Sequence, residues 1–171
     1  MKLFPTEKKE IWKHRIVRWV GNLTPIIRTS KGKLCFISDD YREAHVSLKH
    51  SLSTKNLVGA TFGGVLFSAA DPWHALLVYK ILGGDYIIWD RSAEIRFLRP
   101  GKSRLKMKIL ITDQDILEIK EDLKAKQKSH PSFDLEWLDK NNKVVARLKK
   151  TLYVAEKGFH AQKLKEHSPS N

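Results

Sequence analysis

Between residues 57 and 82 only Asp71, His74 and Lys80 can carry charge near neutral pH. A stretch this apolar must be buried, in lipid or in protein. A membrane span takes about 20 uninterrupted apolar residues, and Asp71-Pro72 falls in the middle of this one. The spacing therefore predicts a buried helix over about residues 61–82, closed by Gly83-Gly84. The rest of the chain has to cover it. Its 171 residues suffice, because roughly 150 residues make one domain, and a domain of that size buries about 70% of the surface its unfolded chain exposes. One domain over residues 1–162 is expected, with an N-terminal helix at about 7–20 and a polar tail at 163–171.

The flanking segments carry strand periodicity. Leu34, Phe36 and Ser38 point one way, and Ala44, Val46 and Leu48 interleave with Glu43, His45, Ser47 and Lys49, giving two strands turned at Asp39-Asp40. Alternation returns over residues 86–98 and 104–111, separated by a Pro100-Gly101 turn. Thr112 and Asp115 resemble a capping box opening a short helix with Ile116, Ile119 and Leu123 on one side. Phe133, Leu135 and Trp137 mark a further strand, and residues 144–154 the last, after a turn at Asn141-Asn142. Near the N-terminus Trp12, Ile16, Trp19 and Val20 fall at helical spacing opposite Lys13, His14, Arg15 and Arg18, and are expected as packing positions. Strands in hairpin succession around one apolar helix imply an α+β architecture, an antiparallel sheet wrapped on that helix. Its open edges predict dimerisation.

Charge narrows the partners. The formal net charge is +13, from 32 Lys and Arg against 19 Asp and Glu. Residues 1–50 carry 11 basic against 5 acidic side chains, residues 51–100 carry 5 against 4, and residues 101–150 carry 13 against 8. A basic shell around a neutral centre points to a polyanionic ligand rather than a basic tail. The single Cys35 excludes a disulfide framework and a thiolate-only zinc site. The N-terminus lacks the apolar run of a secretory signal, so the cytoplasm is the expected location.

Several motifs fail on spacing. Gly101-Lys102-Ser103 would close a phosphate-binding P-loop only with glycine where Arg96 stands. No serine sits in G-x-S-x-G. The seven histidines never pair at i, i+4, so no metal is expected. The Gly63-Gly64 pair is different, because it leads into the start of the apolar helix. N–H groups there are unpaired and share the positive end of the helix dipole, and glycine admits another group close to them. That is the chemistry of an oxyanion hole. Asp71, two turns on, is a carboxylate in apolar surroundings that can serve as a general base on water. The alternative is structural: Asp71 as N-cap with Pro72 at the first helical position, and the glycines as a close packing contact.

Asn56, five residues, Phe62-Gly63-Gly64, six residues and Asp71 together resemble the Asn…His-Gly-Gly…Asp signature of hotdog-fold acyl-CoA thioesterases of the phenylacetyl-CoA type. A closer likeness is to an uncharacterised bacterial hotdog family related to them. It extends to Tyr86-Ile87-Ile88-Trp89-Asp90, Phe97-Leu98-Arg99-Pro100-Gly101, Val144-Val145-Ala146-Arg147 and Thr151-Leu152-Tyr153. The resemblance implies a long central helix wrapped by the sheet, in a dimer or dimer of dimers with active sites between subunits. It also implies Gly64 N–H as donor to the thioester oxygen, Asp71 from the other subunit as base or nucleophile, and Asn56 positioning water or thioester. Phe62 stands where those enzymes have histidine. It removes a hydrogen-bond donor, suits a fatty acyl chain, and equally suits a protein that binds acyl groups without hydrolysing them.

The substrate so implied carries coenzyme A, with no separate cofactor. Arg99, Lys102 and Arg104 bracket the Pro100-Gly101 turn, where the fold often meets nucleotide phosphates; a solvated basic hairpin is the alternative. Two further partners are suggested by the charge together with the five Trp. Nucleic acid has no recognition-helix or RNA-binding signature to support it. Peripheral membrane contact through the N-terminal helix fits a basic side opposite one with two Trp.

Overall fold

The computed structural model describes residues 2–167, with side chains as far as residue 162. The elements in chain order are helices α1 (Trp12–Leu23) and α2 (Pro25–Ser30), strands β1 (Gly32–Ile37) and β2 (Glu43–Leu48), and a 3-10 turn (Leu52–Thr54). Helix α3 (Gly63–Leu82) follows, then strands β3 (Tyr86–Phe97) and β4 (Leu105–Leu110) and helix α4 (Asp113–Lys126). Strands β5 (Lys128–Ser129), β6 (Ser132–Leu138) and β7 (Val144–Glu156) and helix α5 (Lys157–His167) complete the chain. The strands form one antiparallel sheet in the order β1-β2-β4-β6-β7-β3, with β5 paired to β7.

The sheet wraps α3, as its apolar composition demands. Leu66, Ala69, Ala70, Trp73, Leu77 and Val78 are buried on the helix, in one cluster with Val46, Met107, Leu135 and Leu148 of the strands. Two large indoles enter this core with their N–H groups bonded: Trp137 Nε1 donates to Leu66 O at 3.0 Å and Trp73 Nε1 to Ala69 O at 2.8 Å. Helix α3 runs unbroken through Asp71-Pro72. The N-cap reading of Asp71 is therefore wrong. Proline inside a helix removes one hydrogen bond and disfavours the fold by about 3 kcal/mol, which the burial around it offsets. The helix stops at Gly83, whose φ of +94° suits glycine.

Helix α1 corrects two expectations. It begins at Trp12 rather than near residue 7 and runs to Leu23. The preceding arm is bound along the sheet instead: Leu3 N–H donates to His45 Nδ1 at 3.1 Å, Thr6 Oγ1 to Glu43 Oε2 at 3.0 Å, and Ile37 N–H to Glu10 Oε1 at 3.2 Å. The arm covers Glu43 and His45, which alternation alone would leave in solvent. Second, α1 docks by its small side. His14 is buried, and Gly21 lies so close to Trp73 that a Cβ there would sit 3.0 Å from the indole ring. Trp12 and Trp19 are 66% and 64% exposed, so they are not packing positions.

At the other terminus residues 163–167 continue helix α5 where a tail was expected, and residues 168–171 lie outside the described residues. Among the described residues no helix is long and apolar enough to cross a membrane.

Candidate active site

The start of α3 is held against the turn that follows β3. Thr61 donates to Gly101 O through its N–H at 2.8 Å and its hydroxyl at 2.9 Å. Leu98 and Arg99 N–H donate to Val145 O. These bonds close a cavity of about 380 Å³ lined by Asn56, Thr61, Gly63, Leu66, Phe97 and Arg99. Within α3 the N–H groups of Val65 and Leu66 both reach Phe62 O. Those of Gly63 and Gly64 meet no acceptor among the described residues, as expected for a first turn.

Aromatic rings lie over both glycines. A Cβ at Gly63 would stand 2.6 Å from Phe97 Cζ, and one at Gly64 3.0 Å from Phe62 Cε1. Phe62 itself is 56% exposed, and neither it nor Gly64 lines the cavity. Asn56 closes the preceding loop: its Oδ1 accepts the N–H groups of Val58 and Ala60 at 3.1 and 3.0 Å, around Gly59 at φ +73°. Its Nδ2 has no acceptor among the described residues.

Asp71 belongs to a second constellation, which motif spacing did not reveal. Lys150 Nζ stands 3.0 Å from Asp71 Oδ1 and 2.9 Å from Asp90 Oδ2, and also donates to the Asp71 carbonyl. The lysine side chain is fully buried, whereas the two carboxylates keep about a third of their surface, 38% and 32%. Strand alternation puts Lys150 there, because it shares the inward side of β7 with Ala146, Leu148, Leu152 and Val154. A bulge between Asp90 and Ser92 turns Asp90 toward the same point. Burial raises the Asp90 carboxyl above its ordinary range; Lys150 opposes this and the Asp71 carboxylate adds to it. One turn beyond Asp71, burial and then Lys150 press His74 down to about 3. Its Nδ1 has no partner among the described residues, and its ring stacks on Phe133.

In a single chain the two groups therefore stand apart. Seven residues of helix separate Gly64 from Asp71, about 10 Å along the axis, and Asp71 does not line the cavity at Gly63. The three expected cations also part company. Arg99 lines the cavity. Lys102 is exposed. Arg104 donates to Ser47 Oγ at 3.4 Å and lines a different cleft. Strand β3 ends the sheet with its outer edge unpaired in the single chain, and Trp89 and Phe97 on it are exposed. Among the described residues no three His, Cys, Asp or Glu side chains come together as metal ligands would.

The family model of DUF4442, a domain of unknown function, matches residues 13–154. The chain belongs to the DUF4442 family. No curated protein matches the sequence. Solved structures supply the likeness in fold. A Pseudomonas aeruginosa protein of unknown function, described as a "Probable Thioesterase", superposes with a TM-score of 0.74 at 14% identity, over 84% of this chain and 95% of that one. A Haemophilus influenzae thioesterase gives 0.64 at 12% identity, over 88% and 96%. The E. coli PaaI protein from the phenylacetic acid degradation operon gives 0.60 at 18%, over 84% and 91%. This DUF4442 member thus has the hotdog fold of the thioesterases, as the Asn56-to-Asp71 spacing led one to expect.

Proposed function

We propose that this protein hydrolyses an acyl-coenzyme A thioester as a homodimer whose sites are shared between subunits. The observation that carries the reading is the unpartnered N–H groups of Gly63, which lines the apolar cavity, and of Gly64 beside it, with a carboxylate fixed on the same helix. Donors at a helix start stabilise negative charge on a carbonyl oxygen. Asp71 takes a proton from water, which attacks the thioester carbon. The C–S bond breaks, and the coenzyme A thiolate leaves with that proton. Because about 10 Å of helix separates the two groups, the Asp71 facing one cavity comes from the partner subunit, brought there by pairing across the open β3 edge.

The remaining residues take roles that fit their positions. Gly64 N–H is the oxyanion donor, Asn56 Nδ2 orients water or the thioester, Phe62 and Gly63 border the acyl chain, and Arg99 meets a phosphate of coenzyme A. Lys102 and Arg104, outside the cavity, are not needed for it. Lys150 positions Asp71. The test is release of free thiol from acyl-CoA substrates of short to long chain and with aromatic acyl groups. Turnover of at least one supports the reading, and turnover of none overturns it.

The exposed Phe62 ring beside Gly64 favours a second reading, acyl-CoA binding without turnover. Saturable binding of a non-hydrolysable acyl-CoA analogue, with no thiol released from any substrate, would establish that reading instead.

A further inference from the structure

The orientation of α1 is unusual for an amphipathic helix on a folded domain, because its wider apolar side faces away from the core. Trp12, Ile16, Trp19, Val20 and Leu23 form one exposed stripe, and Ile26 of α2 is exposed beyond it. Docking uses the opposite side, where His14, Val17 and Gly21 meet the core and Asn22 exchanges hydrogen bonds with the Leu34 backbone. Helical spacing sets Lys13 on one flank of the stripe and Arg15 and Arg18 on the other.

Beside the stripe lies a cleft of about 490 Å³ that Trp19 and Leu23 help to line. Its cationic side chains are Arg18, Arg28, Lys31, Lys33, Lys49 and Arg104, with no Asp or Glu among the lining residues. Glu10 pairs with Arg18 at 2.9 Å and with Arg15 at 3.7 Å. The other five make no ion pair among the described residues. Helix α1 packs on β1, the opposite end of the sheet from β3, so pairing through β3 leaves stripe and cleft open.

We infer that this surface docks the protein on an anionic phospholipid bilayer. The stripe sinks into the boundary between headgroups and acyl chains, and the cleft receives lipid phosphates. Tryptophan suits that boundary, since its ring is amphipathic. Charge selects the occupant: a neutral apolar partner would leave five unpaired cations beside the contact, whereas an anionic leaflet attracts them. The +13 of the chain favours the same surface at longer range.

The experiment is sedimentation of the full chain with sucrose-loaded vesicles, of phosphatidylcholine alone or mixed with phosphatidylglycerol. Binding is expected to the anionic vesicles, weakening as salt rises, with little to the neutral ones. Each cation near the surface contributes about fivefold, so Arg28→Gln with Lys31→Gln should lower partitioning roughly twentyfold. Trp12→Ser with Trp19→Ser should lower it about tenfold or more. These side chains are exposed or at the cleft rim, and unchanged circular dichroism and melting establish that the variants fold. Absence of binding to anionic vesicles at low salt overturns the inference. So does an assembly state, read by sedimentation equilibrium, that falls in the Trp variant, because the stripe is then a protein interface. Retention of wild-type vesicle binding by both variants also overturns it.

Discussion

Lys150 Nζ lies 3.0 Å from Asp71 Oδ1, and the lysine side chain is wholly buried while the aspartate reaches solvent. The ammonium holds the carboxylate from the buried side, and the Asp90 carboxyl lies beside it. Asp90 shares the same ammonium at 2.9 Å, so one positive charge faces two carboxyl groups. The cluster ties α3 to β3 and β7 at the point where the proposed base stands.

Replacing that ammonium with an apolar side chain of similar length removes the common partner. Lys150→Met is expected to destabilise by about 1–3 kcal/mol, below the 3–5 typical of fully buried pairs because both carboxylates keep solvent contact. Protonation of Asp90, whose carboxyl is raised by burial and by Asp71, relieves the repulsion, so the loss should shrink between pH 7 and pH 4. Denaturant melts of both proteins at the two pH values check this. An equal loss at both would show that Lys150 acts through packing alone.

A buried histidine and a half-buried aspartate set opposite slopes of stability with pH. His74 has its folded value pressed to about 3, below the ordinary 6.5. Its contribution is present above the unfolded value and is lost as pH falls from about 6.5 toward 3, by on the order of a few kcal/mol. Asp90, raised by burial, contributes stability that is full below its unfolded value and is lost as pH rises through its folded one. His74→Leu should therefore flatten the stability curve between pH 6.5 and 4 relative to wild type. Urea midpoints measured across that range decide it; an unchanged slope contradicts the assignment.

The contact of Phe97 with Gly63 predicts coupling. A Cβ at Gly63 meets the ring at 2.6 Å, and the ring is 58% exposed and free to swing outward. Gly63→Ala alone is expected to lower stability modestly. In a Phe97→Ala background it should be neutral or stabilising, giving a coupling of about 0.5–2 kcal/mol in a double-mutant cycle. Additive effects would mean that the ring does not rest on the glycine.

What could be read in the sequence depended on whether local chemistry or tertiary placement decided each feature. Helix α4 was legible because Thr112 and Asp115 form a true capping box and Ile116, Ile119 and Leu123 fall on its buried side. The turn after β6 was legible because Asn142 adopts φ +60°, a conformation asparagine tolerates. Periodicity showed that α1 has an apolar side, but not which side would meet the core. The arm of residues 2–11 escaped notice because its bonds run to strands far along the chain. Lys150 did carry a signal, a lysine at an inward position of an alternating strand, and Asp90 carried none until the bulge in β3 was seen. Arg99 and Arg104 are close in sequence, yet the turn between them sends one to the cavity and the other to the basic cleft.

The central claim, catalysis by Asp71 on a thioester held by the partner's Gly64, is tested most directly by subunit complementation. Asp71→Asn removes the base and should lower kcat by roughly 10²–10⁴. Gly64→Pro deletes the N–H in the first turn, where proline is tolerated, and should lower it by about 10²–10³. When the two inactive variants are unfolded together and refolded, half of the dimers are mixed and each has one intact site, so activity should return to about a quarter of wild type. Mixtures no more active than either variant alone would contradict the shared site, and full activity of Asp71→Asn would contradict the mechanism itself.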